Sequence, residues 1–330
     1  MKKPLIILTG PTAVGKTHLS IRLAKAVQGE IISADSMQVY RHMDIGSAKI
    51  RPEEMEEVSH HLIDCLNPDE DFNVVRFQEM AKEAMAHIYQ RGHIPILTGG
   101  TGFYIQAITG DIDFTQHGED NSYRLSLEKK AAEEGAQSLH DMLQKVDPLS
   151  AQTIHANNVK RVIRALEYYN QTGQPISSHN LEQRQKTSPY QLAYFVLNDE
   201  RSRLYQRIDQ RVDEMISSGL VKEVETLKAM GCHPGMVSMQ GLGYKEILAY
   251  LEGDCSLEEA VYIIKRDTRH FAKRQITWFK REPDVEWFYK PDYEYQEEKI
   301  LNGMLHSLKE KNIIPKEGYT DGNSNDKRNV

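Results

Sequence analysis

One stretch limits what this chain can fold into more than any other: Leu5 to Thr17, LIILTGPTAVGKT, an apolar run that breaks into a glycine-bounded loop ending in Lys-Thr. Residues 4–9 read as a buried strand, and residues 16–27 as a helix with Leu19, Leu23 and Val27 on one stripe. Between them Gly10, Pro11, Thr12, Ala13, Val14, Gly15, Lys16 and Thr17 satisfy the G-x-x-x-x-G-K-[ST] pattern in the strand-to-helix context it requires. The two glycines let the backbone curl so that successive N–H groups point inward, and the helix N-terminus adds its positive dipole end. Lys16 is long enough to reach terminal phosphate oxygens, and the Thr17 hydroxyl is placed to ligate Mg²⁺. Such a loop holds a polyphosphate without saying which one.

The pattern continues in strand-and-helix units. Residues 30–35, EIISAD, read as a short strand that ends at an acid, residues 73–92 as a long helix stopped by Gly92, and residues 93–100, HIPILTGG, as a third strand. Alternation of this kind predicts an α/β fold, a P-loop NTPase-like parallel sheet core, with ligands at the C-terminal strand ends. From about Asp113 the strands stop and helical patterns take over. The expected domains are a core of residues 1–112 and 190–315 with C-terminal helices, carrying a mostly helical insertion, 113–189. QLAYFVL (191–197) restores a strand, and the residues from Arg203 to Gly231 read as one long helix. Residues 316–330 have no apolar face and are expected to be disordered.

Composition narrows the class. With 330 residues, 39% of them hydrophobic, the chain can bury one large or two modest cores. Its net charge of −7 suits a small-molecule enzyme and argues against a general nucleic-acid coat. Cys65, Cys232 and Cys255 lie far apart with no CxxC, so neither a disulfide framework nor a zinc site is expected, and the histidines, His60 and His61 included, show no metal-ligand spacing. The short apolar run after Lys2 and Lys3 reads as a strand rather than a secretory signal. No segment approaches the ~18 apolar residues of a membrane span. A soluble, cytoplasmic protein is expected.

Nucleotide-hydrolysing loops are normally paired with a metal-organising acid after a second apolar strand. Here IPILT runs into Thr98, Gly99, Gly100 and Thr101, and only EIISAD places a carboxylate at a strand end. Asp35 is then a metal-linked acid, a general base facing the loop, or a turn cap.

Seven blocks occur in order: GPTAVGKT, ISADSMQVYRHMDIGSAK (32–49), LTGGTGFY (97–104), VKRVIRALE (159–167), QRIDQRVDEM (206–215), QGLGYKE (240–246) and FAKRQITWF (271–279). Together they resemble the tRNA isopentenyltransferase family, the bacterial tRNA dimethylallyltransferases, over about residues 4–290. The resemblance implies transfer of a dimethylallyl group from dimethylallyl diphosphate to the exocyclic N6 of the adenosine 3′ of the anticodon. The loop would then hold a diphosphate leaving group with Mg²⁺ near Thr17. Asp35 matches the family's general base, Ser36, Met37 and Gln38 its tRNA-contacting segment, Arg211 and Thr12 further diphosphate contacts, and Thr101 the adjoining channel. The catalytic set implied is Asp35, Lys16, Thr12 and Arg211.

An acidic protein must find its RNA surface locally, since phosphate affinity follows local charge. Lys265, Arg266, Arg269, Lys273, Arg274, Lys280 and Arg281 crowd one segment against a single acid, Asp267, with Trp278 and Phe279 interleaved. Lys160, Arg161 and Arg164 form a second cluster close to one helix face. Arg269, Lys273, Arg274 and Gln275, the second cluster, Arg124, Gln240, Tyr244 and Lys245 complete the tRNA-binding candidates. The expected partners are a tRNA anticodon stem-loop and dimethylallyl diphosphate, met by a monomer. A small-metabolite kinase explains residues 5–35 equally well but leaves the basic clusters without a use, and a non-catalytic RNA binder leaves Lys16, Thr17 and Asp35 without one.

Overall fold

The computed structural model describes residues 2–114 and 122–316. Six parallel strands form one sheet: β1 (Lys3–Thr9), β2 (Gly29–Ala34), β3 (His60–His61), β4 (Ile94–Gly99), β5 (Tyr190–Asn198) and β6 (Val285–Tyr289), in the order β3-β2-β4-β1-β5-β6. β1 lies inside, with Ile7 beside Leu97 on one flank and Tyr194 on the other. This is the expected α/β, P-loop-like architecture.

Both faces of the sheet are covered, and alternation along the strands divides the core. Leu5, Ile7, Ile32, Leu97, Tyr194 and Val196 face one cluster, while Ile6, Leu8, Ile31, Ile96, Phe195 and Leu197 face the other. Helices α1 (Lys16–Val27), α2 (Val74–Gln90) and α3 (Gly102–Thr109) follow β1, β3 and β4. The stripe Leu19, Leu23 and Val27 of α1 is buried in the second cluster, and Phe77, Ala81, Met85 and Ile88 of α2 in the first. Each of these Leu, Val, Ile, Met and Phe side chains contributes about 1.5–3 kcal/mol by leaving water, and Ala81 less.

Among the described residues of the insertion there are five helices: α4 (Ser122–Glu134), α5 (Ala136–Val146), α6 (Pro148–Thr153), α7 (Val159–Thr172) and α8 (Ile176–Gln185). The chain separates into two compact units, Met1–Thr109 with Pro189–Val330, and Gly110–Ser188. The smaller unit has its own core of Leu127, Leu139, Leu143, Val162, Ile163 and Leu166. It is knotted at the buried Asp147, whose carboxylate accepts from the N–H and hydroxyl of both Ser150 and Ser177. Burial raises the Asp147 pKa, but these four bonds outweigh it and hold the carboxyl below its usual value.

After β5 come α9 (Arg201–Ser217), α10 (Leu220–Ala229), α11 (Tyr244–Glu252), α12 (Leu257–Phe279) and α13 (Glu297–Glu310). The single helix expected from Arg203 to Gly231 is two, because Gly219 turns to φ 102° and ends the first while capping the second. The sequence reading also misses β3 and β6, which are too short to show a period. The disorder expected of residues 316–330 falls, beyond Lys316, outside the described residues.

Candidate active site

The loop from Gly10 to Thr17 leaves the C-terminal end of β1 and enters α1. Gly10 has φ 148°, and a Cβ there would sit 2.4 Å from the Leu197 carbonyl oxygen, so only glycine lets the loop leave the sheet at this point. Lys16 Nζ donates to the Gly10 and Pro11 carbonyls at 3.0 and 2.9 Å. Not every loop N–H points inward: Thr12 N donates to Gln275 Oε1 at 2.9 Å, and Val14 N turns back to Pro11 O. The N–H groups at the start of α1 have no intrahelical acceptor and are the ones available to an anion.

Gln275 acts as a strut. Its other amide end donates to Gly100 O at 3.0 Å, so one buried side chain of α12 joins the phosphate loop to the turn after β4. Gly100 is required there, since a Cβ would lie 2.1 Å from Gln275 Nε2. Lys290, also buried, donates to Val14 O from the other side at 3.2 Å.

Asp35 follows β2, and its Oδ1 accepts from Met37 N at 2.8 Å, which fixes the carboxylate at a tight turn. Gln38 is held by Ser33 Oγ and reaches the Ser47 and Ala48 carbonyls. The loop carrying Ser47 is anchored by Glu223, which accepts from the N–H groups of Asp44, Ile45 and Gly46 and from the Tyr244 hydroxyl.

These groups surround one cavity of about 650 Å³ within the larger unit, lined by Thr12, Lys16, Thr17, Asp35, Gln38 and Ser47 on one side and by Arg207, Gln210, Arg211, Glu214, Phe271 and Gln275 on the other. Positive charge dominates, with three cations against the two carboxylates. Burial and then the Arg211 charge pull the Lys16 ammonium down to about 7, with Asp35 opposing. Arg211 is lowered by burial, again with Asp35 acting the other way. An anion placed among these groups relieves the repulsion and restores the charge on Lys16.

Among the described residues no cluster of three His, Cys, Asp or Glu side chains can cage a metal. Thr17 and Asp35 do share the cavity. One or two protein oxygens completed by phosphate oxygens and water are the donor set that Mg²⁺ accepts.

The cavity thus brings together Asp35, Lys16, Thr12, Thr17 and Arg211. Thr101 immediately precedes α3, outside the cavity lining, its N–H donating to Ala34 O. Sequence reading missed Arg207, Gln210 and Glu214, although their spacing with Arg211 places all four on one face of α9.

The RNA candidates divide. Lys273 and Arg274 line a second concavity, of about 420 Å³, with His270, Thr277, Trp278 and Arg281. Lys265, Arg266 and Arg269 are instead paired with Asp213, Asp267 and Asp209. Tyr244 and Gln275 are interior: the Tyr244 ring is fully buried and the Gln275 amide is committed at both ends. Met37 packs against the core, whereas Ser36 is half-buried. Gln240 is exposed and bonds Pro234 O, and Lys245 lies 3.4 Å from Glu246. In the smaller unit Lys160 and Arg161 are exposed in the first turn of α7, which carries no acid, against the preference of a helix N-terminus. Arg124 grips Glu167 with two bonds of 2.9 and 2.6 Å, and Arg164, half-buried, is drawn to the same carboxylate.

Residues 38–282 match the model of the IPP transferase family. The chain is 64% identical to a protein of Lachnoclostridium phytofermentans named tRNA dimethylallyltransferase, over 94% of this chain and 99% of that one. Its fold matches the crystal structure of the full-length tRNA isopentenylpyrophosphate transferase of Bacillus halodurans, with a TM-score of 0.71, 44% identity, and coverage of 94% and 99% of the two chains. It also matches a eukaryotic dimethylallyltransferase whose structure was solved acting on tRNA, with a TM-score of 0.77, 31% identity, and coverage of 87% and 74%. By family match, identity and fold alike, the chain belongs to the IPP transferase family.

Proposed function

We propose that this enzyme is a tRNA dimethylallyltransferase, which moves the dimethylallyl group of dimethylallyl diphosphate to the exocyclic N6 of the adenosine 3′ of the anticodon. The single observation that carries the reading is the placement of Asp35 in one cavity with the phosphate loop. A prenyl transfer needs those two parts together: a diphosphate-binding cradle and, facing it, a group that accepts a proton.

The N6 lone pair is delocalised into the adenine ring, so N6 is a weak nucleophile until its proton has an acceptor. Asp35 is that acceptor, a contribution of about 10²–10⁴-fold. The N6–C1 bond forms as the C1–O bond breaks, the electron pair leaves with the diphosphate, and the N6 proton passes to Asp35. Lys16, Arg211, Arg207 and the first N–H groups of α1 meet the negative charge that develops on the leaving group. Thr17 is the residue to hold Mg²⁺, which when bound would neutralise diphosphate oxygens.

The target base must leave the anticodon-loop stack to reach Asp35, which a loop permits more readily than a stem. The exposed cations of α12 and α7 are the surfaces to receive the RNA backbone. The same reading takes the enzyme to act as a monomer. No helix among the described residues is long and apolar enough to cross a membrane, in keeping with a cytoplasmic enzyme. The test is incubation with bulk tRNA, Mg²⁺ and labelled dimethylallyl diphosphate, followed by digestion. Labelled N6-dimethylallyladenosine is the expected product, and tRNA-independent ATP turnover without RNA prenylation would speak for a kinase instead.

A further inference from the structure

Most side chains lining the cavity are polar or charged, which suits a diphosphate. Ala13 and Phe271 are the apolar ones among the described lining residues, and Phe271 is the one aromatic. It is half-buried and belongs to neither hydrophobic cluster of its unit, whereas Ala272 and Ile276, about 100° further round α12, pack in the second. The helix therefore turns Ala272 and Ile276 to the core and, at i and i+4, Phe271 and Gln275 to the cavity. Gln275 is fixed there by Thr12 N and Gly100 O, so the ring stands one helical turn from a group that touches the phosphate loop. The Arg274 guanidinium carbon lies 5.7 Å from the ring centroid.

We propose that Phe271 is the specificity-determining wall for the prenyl tail: the surface against which the five-carbon group rests while its diphosphate occupies the loop. This rests on the reading of the cavity as a prenyl-diphosphate site. A dimethylallyl group gains by leaving water only where it meets apolar surface, and the ring supplies that surface in a mostly polar cavity. Its π-face also attracts the positive charge that gathers on the allylic carbons as the C1–O bond lengthens. A ring at this position sets the room available, and so the chain length accepted.

The test compares Phe271→Ala and the milder Phe271→Leu with the parent enzyme, using dimethylallyl and geranyl diphosphates as donors and inorganic diphosphate as a competitor. The KM for dimethylallyl diphosphate rises about tenfold or more in Phe271→Ala and less in Phe271→Leu, a scale set by stripping apolar surface from a pocket. The kcat/KM ratio of geranyl to dimethylallyl donor rises by about as much. Inhibition by inorganic diphosphate stays within about twofold of the parent, because the loop is untouched. An unchanged donor ratio in both variants overturns the proposal. So does weaker diphosphate inhibition in step with KM, which would make the ring a support for Gln275. A parent enzyme that prenylates no tRNA removes the underlying reading together with the proposal, whereas transfer with an unchanged donor ratio removes the proposal alone.

Discussion

The phosphate-loop cavity and the exposed half of α12 are both rich in cations, yet they are built on opposite plans. Around the cavity the loops that carry the functional groups are pinned by chain from far away: Thr12 by Gln275, Val14 by Lys290, the Ser47 loop by Glu223. On α12, His270, Lys273, Arg274, Thr277 and Trp278 share a face through helical spacing, and Arg281 joins them from the turn that follows. The first plan suits chemistry, where a misplaced group costs orders of magnitude. The second suits a polyanion whose phosphates are read as charge rather than as fixed points. If the contrast is functional, changes in the cavity alter the chemical step, and changes on α12 alter RNA affinity and its salt dependence.

The largest expected effect is that of Lys16→Ala, which removes both a loop cation and the bracing of the Gly10 and Pro11 carbonyls. Prenyl transfer should fall by about 10²–10³-fold with tRNA affinity nearly unchanged, as measured by single-turnover kinetics beside filter binding. Equal losses in both would erase the contrast.

A titration sharpens it. Lys16 is held near 7 without a bound anion, and a diphosphate restores its charge, so binding takes up a proton. Affinity for dimethylallyl diphosphate, whose last phosphate ionisation lies near about 6 and so is nearly complete above about 7, should weaken as pH rises above about 7, by up to about tenfold per unit. Lys16→Ala should flatten that dependence in a calorimetric series.

At this surface, replacing Lys273, Arg274 and Arg281 by alanine should lower the log-log salt slope of tRNA binding by about 0.7–0.9 for each phosphate that is no longer neutralised. Arg269→Ala should lower it less, because Arg269 is already paired with Asp209. An equal change from Arg269 would mean that the ion pair opens for RNA.

The smallest effect on transfer belongs to Glu30, at the opposite end of the sheet. It is buried and gripped by Arg91 with help from His61 and His93, which, Arg91 foremost, hold its pKa at about 2 against an ordinary 4.5. The stability this gives is present above the ordinary value and is lost as pH falls toward 2. Glu30→Gln should be less stable than the parent at neutral pH and show a shallower loss between about pH 4.5 and pH 2, with transfer per folded molecule unchanged. Thermal midpoints across that range provide the check.

Much of this was legible in the sequence where a local rule applied. The strand, loop and helix from Lys3 to Val27, both faces of the central strands, and Asp35 at a strand end follow from period and motif. The supports did not follow, because they depend on pairings across hundreds of residues: nothing near Gln275 says that its amide joins Thr12 to Gly100. Tyr244 shows the same limit, for an aromatic beside a lysine reads as an RNA-binding group until Glu223 is found beneath it. Arg207 and Glu214 were readable from the spacing of α9 but stand out only once Arg211 is seen to face the cavity. The break at Gly219 was missed because a glycine inside a helical pattern is tolerated until tertiary packing turns it.

The account turns on Asp35 as the group that takes the N6 proton. Asp35→Asn preserves shape and can still accept from Met37 N, but it cannot take that proton effectively. At saturating tRNA and dimethylallyl diphosphate, its single-turnover transfer rate should fall by about 10²-fold or more, with tRNA affinity changed far less. A rate near that of the parent enzyme would contradict the assignment.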